Sequence, residues 1–206
     1  MREGCGSVYH YSLNAAERGL DSLCRDKSTV KEDAWMFYKG SLMDIGFSED
    51  THNVYSDYML INIMLGKTKP QDTVILYHIH PDSYKHNRFS PPSANDLVSH
   101  AKLKPMFDSL GIVLIERMFD GRGVWEFDAN ATLIEKVYAN EKAQYDSIYF
   151  SIESSCVFSS ILSYGDMPYN CPNLYSPTFI DKYIQSMKNM GVLLKFTPSD
   201  MIGKYY

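Results

Sequence analysis

Thr73-Val74-Ile75-Leu76-Tyr77-His78-Ile79-His80-Pro81 begins as an apolar run and ends on two histidines one residue apart. β-Branched and aromatic residues dominate the run, and a short, uniformly apolar stretch bounded by turn residues reads as a buried strand. Side chains alternate across a strand with period two, so His78 and His80 project from the same face. Pro81 ends the strand, and residues 81–92, rich in Pro, Ser and Asn, read as a loop. Ser93-Ala94-Asn95-Asp96 then opens a helix expected to run to residue 103.

Outward from this centre the elements alternate. Residues 7–11 alternate in a β-like way, and residues 14–24 read as a helix capped by Asn14 or Ser12. Residues 34–38 form a short aromatic-rich run ending at Gly40, expected as a buried strand. Residues 48–53 read as a loop, residues 55–65 as a helix with Gly66 at its C-terminus, and residues 69–72 as a turn. Downstream, residues 111–116 and 124–127 read as strands joined by a turn at Asp120-Gly121. Residues 131–158 read as one long helix or two, and residues 164–177 as a loop. Residues 178–190 form a last helix, stopped by Gly191, before a strand at residues 192–196. The class expected is α/β or α+β, a single domain over residues 1–206.

Composition narrows the function classes. The chain has 206 residues, 45% hydrophobic and 22% charged, with a net charge of −5. That balance, with no basic run, argues against nucleic acid or an anionic membrane as partner. No apolar run approaches the roughly 20 residues that span a bilayer. The N-terminus lacks the apolar core of a signal peptide, so a cytoplasmic location is expected. Cys5, Cys24, Cys156 and Cys171 form no CxxC pair and read as buried or idle thiols. No feature of the sequence assigns an oligomeric state.

The chemistry lies in the histidines. A catalytic zinc takes three protein ligands and leaves one position for water, and imidazole and carboxylate both suit it. His78 and His80 can chelate one ion, with Asp96 returning from the first turn of the following helix as third ligand. A water activated there becomes a nucleophile near neutral pH. The same residues admit blander readings. An H-x-H pair can lie idle on a strand surface, and Ser93 with Asp96 also matches a helix capping box. Other H-x-H hydrolases fit poorly. The metallo-β-lactamase-like signature H-x-H-x-D-H fails at Ser83, and only His86 and His100 lie downstream of the pair. The amidohydrolase barrel typically needs about 250 residues. His10 and His52 read as surface residues; His86 reads as a solvated loop histidine or one that approaches the metal from the loop, and His100, one turn past Asp96 on the same helix face, as a helix-surface residue or one that lies near the site. Gly121-Arg122-Gly123 reads as a hairpin turn rather than a phosphate loop.

The order apolar strand, His78-Ile79-His80-Pro81, loop, Pro92-Ser93-Ala94-Asn95-Asp96-Leu97 resembles the JAB/MPN metalloprotease family and its JAMM motif. The resemblance covers residues 7–128, extends to the last strand, and leaves the rest of 129–206 as a helical extension. It implies a curved mixed sheet flanked by helices, and a zinc peptidase or isopeptidase. His78, His80 and Asp96 would ligate zinc, and Ser93 would support the oxyanion of the tetrahedral intermediate. The substrate implied is a peptide or protein, including a ubiquitin-like tail. The sequence departs from the family in two places. The loop between His80 and Ser93 is longer than usual by about a handful of residues, a modest closure cost. The family's general base is a glutamate opening an upstream strand, and amide cleavage needs such an acid for the departing nitrogen. Glu32 matches that residue type, while Asp33 fits the family spacing slightly better. The reading adopted is Glu32, the extra residue being taken up as a bulge. The alternative is a catalytically inactive MPN-like scaffold or protein-binding module, in which neither carboxylate faces the site.

Overall fold

A computed structural model describes residues 6–47, 55–81, 84, 90–139 and 175–204. The chain runs β1 (Val8–His10), α1 (Leu13–Arg25), β2 (Ala34–Tyr38), β3 (Ser41–Asp44), β4 (Gly46–Phe47), β5 (Tyr55–Ser56), α2 (Tyr58–Leu65) and β6 (Thr73–Ile79). It continues through α3 (Ala94–Ser109), β7 (Val113–Phe119), β8 (Gly123–Ala129), α4 (Ala131–Ala139), α5 (Pro177–Lys188) and β9 (Val192–Pro198). The class is mixed, with a seven-stranded mixed sheet and five helices among the described residues.

The sheet order is β1-β3-β2-β6-β7-β8-β9, and β4 pairs with β5 apart from it. Only β6 and β7 are parallel, and α3 is the crossover that such a pair requires. β6 lies near the middle, which explains its uniform apolarity, since both of its faces are covered. Val74 and Leu76 pack with Met36, Leu103, Phe107 and Leu114 beneath α2 and α3. Ile75, Tyr77 and Ile79 pack with Trp35, Phe37 and Phe119 against α1. The period of two carries His78 onto the face of Leu76, the face that α3 covers.

Several boundaries differ from expectation for physical reasons. β2 has the expected bounds, Ala34–Tyr38, but at Gly40 the chain reverses into a strand that was not expected. Lys39 and Gly40 both take left-handed backbone (φ 46° and 80°), the geometry of a tight hairpin, and β3 returns beside β2. α2 begins at Tyr58 rather than at residue 55, because the Asp57 side chain accepts from the Met59 and Leu60 amides and caps it. Gly66 ends it with φ −62°, so no left-handed cap is used. α3 continues past residue 103 and through Pro105 to Ser109. Burial of Leu103 and Phe107 outweighs the amide that proline lacks. Pro81 and Tyr84, expected in a loop, already carry helical backbone.

Among the described C-terminal elements, β9 closes one edge of the sheet and α5 packs against it. β9 pairs with β8 from Val192↔Ala129 to Pro198↔Gly123. Ile180, Tyr183 and Met187 of α5 pack with Trp125, Phe127 and Val192, and with Leu97, Val98 and Ala101 of α3. Cys24 is buried and its thiol donates to the Phe119 carbonyl, as expected of an idle thiol. His10 lies on exposed β1. No helix among the described residues is long and apolar enough to cross a membrane. The expected loop at 48–53, most of the loop after Pro81, the helix beyond residue 139 and the loop up to residue 174 lie outside the described residues. So do His52, His86, Cys5, Cys156 and Cys171.

Candidate metal centre

The parallel β6–α3–β7 unit sets the N-terminus of α3 beside the C-terminal end of β6. Pro91 and Pro92 cannot extend a helix backwards, and Ser93 takes an extended conformation (φ −70°, ψ 166°) as N-cap. Its hydroxyl accepts from the Asp96 amide at 3.3 Å, while Asp96 Oδ2 accepts from the Ser93 amide and hydroxyl at 2.7 and 2.8 Å. The capping box is therefore present. It spends only one carboxylate oxygen, and it aims the other: Asp96 Oδ1 lies 3.5 Å from His78 Nε2. The capping box and a metal-holding role for Asp96 are compatible, because the cap orients the carboxylate.

One donor atom from each of His78, His80 and Asp96 falls within 4.8 Å of the others, a group that can hold a metal ion. Two imidazole nitrogens and a carboxylate oxygen are nitrogen and oxygen donors of the kind zinc and similar ions take. His78 Nε2 is buried without a hydrogen-bond partner, a costly state that a bound cation would relieve. The two imidazole rings lie 5.0 Å apart. Burial and the neighbouring charge of His78 push His80 down to about 4, against the pull of Asp96, so its imidazole is neutral and offers a lone pair. Burial opposes a charge on His78, but Asp96 outweighs it and raises the group. Asp96 is also buried, yet the positive charge of the neighbouring His78 holds its carboxyl well below the usual range.

The upstream carboxylates part company. Ala34 pairs with His78 across β2 and β6, which brings the start of β2 to the histidines. Glu32 Oε1 lies 3.6 Å from His80 Nε2. Asp33 turns away: its carboxylate accepts from the Ala34 amide at 2.9 Å and adjoins Gly46. Burial, with the nearby charge of Asp44, pushes Asp33 up to about 6. Of the two candidates, Glu32 is the one that reaches the site.

Two neighbours have partners that the sequence does not show. His100, expected on the helix surface, is fully buried. Its Nε2 lies 2.9 Å from Asp128 and its Nδ1 3.2 Å from Glu116. Burial alone would lower it, but the two carboxylates raise it to about 9 and hold it as an imidazolium. It stacks edge-on against Phe127, as His78 does. Glu116 and Asp128 hold His100 in an ion pair, outside the ligand group. Ser90 lies 3.1 Å from His80 Nδ1. Nothing distinguishes it from the other serine of its loop, Ser83, until the fold sets the ring of His80.

No family model, curated protein or solved structure matches this chain.

Proposed function

We propose that this protein is a zinc-dependent hydrolase of the JAB/MPN type that cleaves a peptide or isopeptide bond. The observation that carries the reading is the convergence of Glu32, from the segment just before β2, on His80 beside the His78, His80 and Asp96 donors. Two histidines and a carboxylate are a catalytic zinc's usual protein ligands, with one position left open. Zinc held there would polarise a carbonyl and acidify a water at neutral pH. Glu32, 3.6 Å from His80 Nε2, would take a proton from such a water and return it to the departing nitrogen, the transfer that amide cleavage demands. Ser93 now donates to Asp96. By rotating its hydroxyl toward substrate it would support the oxyanion, a role worth several kcal/mol, roughly 3–4, for comparable donors. A ubiquitin-like tail as substrate rests on analogy with the family. Glu32 facing the histidines favours the enzyme over an inactive MPN-like scaffold.

The test is elemental analysis and cleavage assays on purified wild type, His80→Ala and Glu32→Gln. Wild type should carry stoichiometric zinc and His80→Ala almost none. Glu32→Gln should keep its zinc and lose about 10²–10⁴-fold in cleavage rate. Equal, negligible zinc in wild type and His80→Ala would sink the metal site. A Glu32→Gln variant as fast as wild type would remove Glu32 from the mechanism.

A further inference from the structure

The second nitrogen of His80 begins a line of hydrogen bonds that crosses three distant segments. His80 Nδ1 lies 3.1 Å from Ser90 Oγ. The Ser90 amide donates to the Tyr175 hydroxyl oxygen at 3.3 Å, and that hydroxyl donates to Asp120 Oδ2 at 2.6 Å. The same Asp120 oxygen accepts from Trp125 Nε1 at 2.9 Å. Its other oxygen accepts from the Arg122 and Gly123 amides at 2.9 and 3.1 Å. Asp120 is 1% exposed.

We propose that Ser90, Tyr175 and Asp120 are positioning residues for His80, holding its imidazole so that Nε2 presents its lone pair to the ion. The proposal rests on reading His78, His80 and Asp96 as a metal site. A neutral imidazole carries one N–H and one lone pair, and the partner of one nitrogen decides what the other can do. Nε2 of His80 faces Glu32 and Asp96. Ligation there requires the proton on Nδ1, and a buried N–H requires an acceptor. Ser90 Oγ is that acceptor.

A serine hydroxyl rotates freely, so its value depends on what fixes the residue. Here the Ser90 backbone is pinned to the Tyr175 oxygen. That oxygen accepts while its own proton is committed to Asp120. An ionised carboxylate only accepts, so the direction of the line is set at its far end. Asp120 occupies the turn between β7 and β8, and the residue before it, Phe119, accepts the His80 backbone amide at 2.8 Å. Ring and backbone of His80 are thus referenced to one turn. Outer partners of metal-binding histidines typically govern metal affinity by 10–100-fold.

The test uses the full chain stripped of metal by a chelator. Zn²⁺ affinity is measured by competition with a chromophoric chelator, Co²⁺ coordination by visible absorption, and apo-protein stability by thermal melting. Ser90→Ala should weaken Zn²⁺ about 10–100-fold and alter the Co²⁺ spectrum while the apo melting temperature stays put. Ser90→Thr, which keeps the hydroxyl, should recover most of the affinity. Tyr175→Phe should weaken Zn²⁺ by a smaller factor; if it does not fold, Ser90→Ala carries the test. Tight binding by wild type, with Ser90→Ala unchanged, overturns the positioning line and leaves the metal site standing. Failure of wild type to bind either ion overturns both.

Discussion

At the scale of single residues, Glu32 and Asp33 are adjacent carboxylates with opposite surroundings. Asp33 is held by the Ala34 amide, away from the histidines, and burial raises it to about 6 from 3.8. A carboxyl raised in the folded state binds its proton more tightly there than when unfolded. Its contribution to stability is therefore present at low pH and lost as pH rises from 3.8 through about 6. Asp33→Asn keeps the acceptor for Ala34 and removes the titration. It should stabilise the protein at pH 7.5 by about 1–3 kcal/mol, with the gain fading towards pH 4, by urea denaturation across that range. Zinc content and cleavage should be unchanged. Parallel pH profiles for wild type and variant, or loss of zinc from Asp33→Asn, would return Asp33 to the site. Choosing between these neighbours from sequence fails for a definite reason: their directions follow from the Ala34↔His78 register, a contact between strands 44 positions apart in the chain. His78, His80 and Asp96 are legible because their spacings are local to one strand end and one helix start. Ser90, Tyr175 and Asp120 are not, because only the folded chain brings them into line.

At the scale of elements, α3 joins stability to chemistry through its cap. Ser93 serves the helix by accepting from Asp96 and serves the site by holding one oxygen of that carboxylate. Ser93→Ala should cost about 0.5–2 kcal/mol of stability as a lost N-cap, read by thermal or urea unfolding of the metal-free protein. It should also weaken Zn²⁺, because Asp96 loses the hydrogen bond that orients it. Ser93→Thr should restore both. If Ser93→Ala lost stability but bound Zn²⁺ as wild type does, the cap would be structural only and Asp96 would be held by other means. This element's start is readable from Pro-Pro-Ser-x-x-Asp, but its end is not. Local propensity argues for a stop before Pro105, and only burial of Leu103 and Phe107 in the core carries the helix on. β3 is hidden for a related reason. Its turn needs a left-handed Lys39, an uncommon conformation for a residue with a side chain.

At the scale of the whole molecule, the C-terminal elements and the site stand on shared ground. Met187 of α5 is fully buried in the cluster that includes Leu97, Val98 and Ala101 of α3, the helix that carries Asp96. β9 completes the sheet on the other side of β8, the strand that Trp125 anchors. A chain built in this way should unfold as one unit, so a cavity in the C-terminal wall is felt at the histidines. Met187→Ala should cost about 2–5 kcal/mol. The two tryptophans make the coupling measurable, because Trp125 lies in the cluster with Met187 and Trp35 lies with α1 on the opposite face. In single-tryptophan versions of wild type and Met187→Ala, urea transitions read at either indole should coincide and move together. An early transition at Trp125 while Trp35 stayed native would make residues 129–206 a separately folding extension. Coincident transitions would make the closing strand and helix part of the frame that sets the distance between Glu32, His80 and Asp96.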